Sequence, residues 1–225
     1  MKMYKIETHL HTNHVSKCGW LDAEHLAKKY YESGFSGIAV TDHYNMDTWA
    51  YKNVDITTDK RISETFLEGY HKMQEACAKY GIQVYMGAEL RFFENQNDYL
   101  FYNFDPALLD DAEAVINMGV VQFSREYRPQ ETLLIQAHPF RNKCVPIPSY
   151  LLDGVEVENN NPRHNSRNAL AVEYAEHDPR LIRIAGSDCH RPGDEGTAGI
   201  LSETLPQSTA EFAALLRSGA FELIK

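Results

Sequence analysis

Short segments in which apolar residues alternate with polar ones, or run together, recur at 4–11 (YKIETHLH), 37–43 (GIAVTDH), 82–90 (IQVYMGAEL), 98–104 (DYLFYNF), 132–138 (TLLIQAH), 154–159 (GVEVEN) and 181–188 (LIRIAGSD). Their length and their β-branched and aromatic content predict seven strands. Between them apolar positions repeat at helical spacing. Asp22 is placed to cap a helix running to about Ser33 with Gly34 past its end, and Asp105-Pro106 reads as a cap followed by proline at the first helical position. Phe66, Leu67, Tyr70, Met73 and Cys77 mark a helix over 63–80 that stops at Gly81, and 166–177 and 208–218 repeat the pattern. The polar span 44–62 is the longest interruption, of the kind that serves as a lid or binding loop.

Strands alternating with helices predict parallel strands joined by crossovers, hence an α/β fold. Periodicity does not separate a barrel from an open doubly wound sheet. In both, however, ligands gather at the carboxyl ends of the parallel strands. Those ends carry His9 and His11, then Asp42 and His43, then Glu89, then His138, then Asp188 with His190 just beyond; the fourth strand instead begins with Asp98. Residues two apart on a strand face the same side, so His9 and His11 can reach one ion while Leu10 packs away from it. Asp188-Cys189-His190 repeats that spacing. A wet barrel mouth lined by hydrogen-bonded polar groups is the bland alternative. Burying several carboxylates and imidazoles together without a cation is costly, which favours metal.

The 225 residues suit one domain over 1–225, with no internal repeat and no linker. Apolar residues are 43% and charged residues 24%, ordinary globular usage, and no apolar run is long enough to span a bilayer. With no secretory signal pattern at MKMYKIETHL, a cytoplasmic protein is expected. Cys18, Cys77, Cys144 and Cys189 form no C-x-x-C pair, so reduced thiols are expected. A formal charge of −10 disfavours long nucleic acid as partner and leaves a small phosphorylated substrate, although divalent cations would offset the charge locally.

HLHT, TDHY, GAEL, AHPF and GSDCH, in this order over nearly the whole chain, resemble the successive motifs of the PHP (polymerase and histidinol phosphatase) family. The resemblance implies a distorted seven-stranded (β/α) barrel, TIM-like, with a trinuclear metal centre at its C-terminal face and phosphoesterase activity. It also implies ligand roles. His9, His11, Glu89 and Asp188 resemble the first metal's ligands, with Glu89 bridging to a second ion that His138 joins; His43 and His190 resemble ligands of a third, supported by Asp42. Two departures stand out. Asp98 occupies a position where many members have histidine, which shifts preference toward harder cations. SKCG replaces a PHG-like turn, so Cys18, or failing that His14, takes the third site. Two to three divalent ions, zinc, manganese or iron, are implied.

Such a centre would hydrolyse a small phosphomonoester such as histidinol phosphate or a nucleotide with metal-activated water, Glu89 being catalytic as the bridge and Asp188 or His190 delivering a proton. Arg141, Arg163 and His164, with Arg167 nearby, are candidates for gripping phosphate, and Trp49 and Tyr51 for stacking on a ring. Asn159, Asn160 and Asn161 end the sixth strand at the same face, where amides can orient the site. His25, His71 and His177 read as ordinary helix residues, and Cys77 and Cys189 as small buried groups. A phosphodiesterase or exonuclease on short oligonucleotides, or a non-catalytic metal-stabilised interaction module, are the alternatives.

Overall fold

The computed structural model describes residues 2–59 and 62–225; residues 60 and 61, at the end of the polar span, lie outside the described residues. In chain order the elements are β1 (Tyr4–Glu7), α1 (Ala23–Glu32), β2 (Phe35–Val40), β3 (His43–Tyr44), α2 (Met46–Lys52), α3 (Ile62–Phe66), α4 (Glu68–Ala78), β4 (Gln83–Leu90), β5 (Tyr99–Tyr102), α5 (Ala112–Gln122), β6 (Leu133–Gln136), β7 (Gly154–Asn159), α6 (Asn168–Glu176), β8 (Ile182–Gly186), β9 (Gly199–Ser202), α7 (Thr209–Ser218) and β10 (Glu222–Ile224). All seven expected strands form.

The sheet runs β10-β9-β1-β2-β4-β5-β6-β7-β8, with β3 beside the end of β4. It curls until the segments beyond β8 and β1 meet: Leu10 bridges Cys189 in parallel, and His11 N donates to Cys189 O at 3.0 Å. The result is a nearly closed barrel. Ten strands rather than seven build the sheet among the described residues, and not all are parallel. β5 runs antiparallel to both β4 and β6, because eight residues between Leu90 and Tyr99 are enough for a hairpin but not for a crossover helix. This reversal brings the start of β5, Asp98, to the barrel end where its neighbours finish.

Helix boundaries follow local chemistry. Asp22 caps α1 by accepting from His25 N at 2.8 Å, and Ser208 caps α7 through Glu211 N at 3.1 Å. Asp105 also caps, although the element it starts is a 3-10 turn over Pro106–Leu109. The span expected as a loop holds α2, capped by Asn45 and ended by Asn53 in the left-handed region. The single helix expected over 63–80 is two, α3 and α4. One buried apolar cluster lies under α1 and α4, with Leu26, Tyr30, Met73 and Cys77 against Ile38 and Val40. A second joins Phe212 and Leu216 of α7 to Tyr85, Leu100 and Ile135, and a third packs α2, α3 and α5 around Trp49, Phe66, Phe101 and Ile116. No helix among the described residues is long and apolar enough to cross a membrane.

Candidate metal centre

Strand register brings the polar residues of distant segments together. His43 pairs with Glu89 across β3 and β4, and Ala137 N donates to Asp98 O at 3.0 Å, setting Asp98 beside His138. Asn159 lies opposite Gly186, so Asp188 emerges next to the end of β7. A Cβ on Gly186 would sit 2.5 Å from the His9 Cβ; only glycine allows this approach.

The side chains converge on a small buried volume. His9 Nε2 lies 3.1 Å from His11 Nε2, 3.3 Å from Glu89 Oε1 and 3.5 Å from Asp188 Oδ1. His11 Nε2 lies 3.4 Å from Glu89 Oε2 and 3.3 Å from Asp188 Oδ1. His138 Nε2 is 3.1 Å from Glu89 Oε1 and 3.8 Å from Asp98 Oδ2, and His190 Nδ1 is 3.2 Å from Asp188 Oδ1. Three groups among the described residues could each hold an ion: His9, His11 and Glu89; His43, Glu89 and Asp98; and His11, His43 and His190. Glu89 belongs to two of them.

Charge in this cluster is unusual. Burial opposes ionisation throughout, yet Glu156, Asp188 and Glu89 hold the His9 imidazole well above its ordinary pKa, and Glu89 and Cys18 do the same for His43. Burial and the neighbouring His190 and His43 push His11 the other way, well below. Against the same burial, His43 and His9 keep the Glu89 carboxyl well below the usual carboxylate range, as His9, His190 and Arg141 do for Asp188.

His138 and Asp188 adopt positive φ (29° and 50°), a region that residues other than glycine enter at a cost of about 1–3 kcal/mol. The buried Glu156 helps hold the first, accepting from His138 N at 2.9 Å while its other oxygen lies 2.9 Å from His9 Nδ1. Both strained residues lie in the cluster.

A model of the PHP domain matches residues 7–216. The chain belongs to the PHP family. Among solved structures this PHP chain is similar to PsfC from Pseudomonas syringae PB-5123 (TM-score 0.68, 16% identity, 97% of this chain and 95% of that one). It is also similar to a two-domain protein from Bacteroides vulgatus ATCC 8482 containing a predicted PHP-like metal-dependent phosphoesterase (TM-score 0.65, 16% identity, 99% of this chain, 64% of that one). A third is the lesion-specific endonuclease PfuEndoQ from Pyrococcus furiosus (TM-score 0.59, 11% identity, 99% and 58%). At these identities the likeness is one of fold. No curated protein sequence matches the chain.

The PHP chain's donors suit divalent cations by an observation of the structure itself. His43 Nδ1 and Glu89 Oε2 lie 2.6 Å apart, both buried, and neither has a hydrogen-bond partner of acceptable geometry. Buried polar atoms are rarely left so, and a cation held by both His43 and Glu89 would remove the deficit. Imidazole and carboxylate donors fit zinc, manganese or iron alike.

Each sequence-predicted residue has a definite place. His9, His11, His43, Glu89, Asp98, His138, Asp188 and His190 all reach the cluster. Asp98 arrives with a partner, since Arg91 Nε and Nη2 donate to its two oxygens at 2.7 Å each. Asp42 stands behind the cluster, accepting from Thr12 N, Thr12 Oγ1 and Ser16 Oγ at 2.7 Å, and Ser16 Oγ reaches His11 Nδ1 at 3.3 Å. Cys18 faces His43 and His190, which lower its thiol to about 6 against the opposing effect of burial; His14 instead turns toward Ala23 N at 3.4 Å. Arg141 Nη2 donates to Asp188 Oδ2 at 2.6 Å and Asn159 Oδ1 at 2.8 Å. Arg163 is committed to Asp194, donating at 2.9 and 2.5 Å, and His164 lies near Arg141, which with burial lowers its pKa.

The aromatic pair expected to stack on a ligand separates. Trp49 is 1% exposed and packs edge-on against Tyr44, because α2 folds back over the core, whereas Tyr51 stays exposed. Glu7, Glu156, Arg91 and Asp194 also surround the cluster, although none is an expected site residue. Glu7 is buried and accepts from Thr8 N, His9 N, Ser187 N, Ser187 Oγ and Tyr30 Oη; burial still raises its pKa. The alternation Glu7, His9, His11 on one strand face was the available signal for it. Glu156 stands three residues before Asn159, and only tertiary register shows that it meets His9.

Proposed function

We propose that this PHP chain is a metal-dependent hydrolase of a small phosphomonoester. The observation that carries it is the position of one carboxylate: Glu89 Oε1 faces His9 and His138 while Oε2 faces His11 and His43, with Oε2 lacking any hydrogen bond. Divalent ions held by His9, His11, Glu89, Asp98, His138, Asp188, His43 and His190 would acidify a bound water and stabilise phosphoryl charge.

The protein's own groups complete the site. Arg141 presents a buried, unpartnered Nε beside Asp188, a guanidinium suited to two phosphoryl oxygens. Asn159 fixes that arginine and also donates to Glu156 at 2.9 Å, so the gripping residue and the His9 support share one amide. His190, 8% exposed, sits at the edge of the cluster, where its imidazole can deliver a proton to the departing oxygen; Asp188, kept ionised by its neighbours, has none to give. Glu156 orients His9 by accepting a hydrogen bond from Nδ1–H, which leaves Nε2 to face the cluster. A chain of net charge −10 favours a small ester over long nucleic acid.

Protein loaded with manganese or zinc, assayed against sugar, amino-alcohol and nucleoside monophosphates beside a 5′-labelled oligonucleotide, should favour the monoesters. Glu89→Gln should lower activity at least about 100-fold and reduce bound metal by elemental analysis. Full activity in that variant would overturn the bridging role. Preferred cleavage of the oligonucleotide would make the protein a phosphodiesterase. Inertness toward all esters, with binding to another protein, would make it an interaction module.

A further inference from the structure

We propose that the substrate's leaving group lies in a groove running outward from Cys18 and His43, past Arg91, to Met46 and Phe93, and that this groove selects esters whose leaving group is nucleoside-like. The inference rests on the phosphomonoesterase reading above. Two cavities of about 460 and 340 Å³ share Asn45, Asp47 and Arg91. The first opens onto Cys18 and His43, and the second is lined by Met46 and Phe93. They adjoin along the three shared residues, one reaching Cys18 and His43 and the other Met46 and Phe93, each of a size that takes part of a small organic molecule.

The groove is built on fixed elements. Asn45 is buried and caps α2 through Thr48 N at 3.0 Å. Arg91 is held by both oxygens of Asp98, which leaves Nη1 the guanidinium nitrogen without a partner among the described residues. Phe92 is buried at 2% while Phe93 beside it is 76% exposed, its backbone N held at 2.9 Å by Ile116 O; Met46 is 45% exposed. A rigid chain therefore presents a phenyl ring and a thioether to water at the outer end of a polar groove.

These chemistries match different parts of one ligand. The free Arg91 nitrogen donates to ring or ribose acceptors, and the Asp47 carboxylate, which lines both cavities, accepts from ribose hydroxyls or an exocyclic amine. Phe93 offers a face on which a planar base stacks, and Met46 a soft sulfur that suits the ring edge. A leaving group as short as glycerol would end near Arg91 and leave the apolar end wet.

Two measurements test this. The ratio of kcat/KM for adenosine monophosphate to that for glycerol phosphate should fall about tenfold in Phe93→Ala. In metal-free wild type with 13C-labelled methionine methyls, the Met46 signal, assigned by its loss in Met46→Leu, should shift with adenosine monophosphate and stay put with glycerol phosphate. Esters turned over with an unchanged ratio and a stationary Met46 signal would overturn the groove and keep the phosphoesterase. A shifting Met46 signal in a protein that hydrolyses no ester would keep the groove and overturn the phosphoesterase.

Discussion

At Cys18 the protonation state of one thiol has a direct chemical readout. His43 and His190 hold it near 6, so at pH 7 it is mostly thiolate, whereas burial and Glu24 push Cys77 up to about 12 and burial holds Cys189 well above the ordinary thiol range. Iodoacetamide at pH 7 should therefore alkylate Cys18 first in metal-free protein, as followed by peptide mass spectrometry, and zinc should slow that reaction about tenfold or more. An unchanged rate at full metal content would remove Cys18 from the ligand set. The residues of the cluster were legible in the sequence because each is a chemically distinctive type at a strand end, as with His9 and His11 or Asp188 and His190. Arg91 and Glu156 were not. Their partners, Asp98 and His9, are assigned only by a hairpin and by a parallel register that no local pattern encodes.

Among the elements, α4 packs against the residues behind the cluster without adding one to it. Its Gly69 lies against Asp42, and a Cβ there would stand 2.2 Å from Asp42 Oδ2 and 2.5 Å from Thr12 Oγ1. Neither oxygen can retreat, since Asp42 is fixed by Thr12 and Ser16 and Ser16 in turn contacts His11. Gly69→Ala should cost about 1–3 kcal/mol in urea unfolding and weaken metal binding, because the clash propagates to His11; unaltered stability would mean that α4 slides freely on this network. The sequence showed glycine inside a helical pattern but gave no hint of what it approached. Similar limits explain the other elements that went unread. β9 and β10 are three to four residues long and extend the sheet beyond β1 by antiparallel pairing, and α5 carries Gly119 at φ 77°, which interrupts its helical period. β2, β4, β5, β6 and β7 were legible because each buries most of its length.

For the whole molecule, protons and cations compete for the same cluster, and the sign of that competition can be worked out. Burial and Arg141 depress the His138 pKa, but Cys144 and Glu89 raise it to about 9, and His9 and His43 are likewise held well above ordinary histidine. These groups bind protons more tightly folded than unfolded, so their contribution to metal-free stability is complete below about pH 6.5 and is lost as pH rises toward 9. Glu89 and Asp188, held low, contribute fully above about pH 4.5 and lose that contribution only as pH falls beneath it. The metal-free protein should accordingly lose thermal stability between pH 6.5 and 8. A divalent cation must displace the same imidazole protons, so its binding strengthens over that interval. The rise in Tm on adding manganese should be larger at pH 8 than at pH 6.5, measured by scanning calorimetry at fixed ionic strength. An equal rise at both values would mean that the cation binds without releasing imidazole protons, and the histidines that converge at the barrel mouth would then not be its ligands.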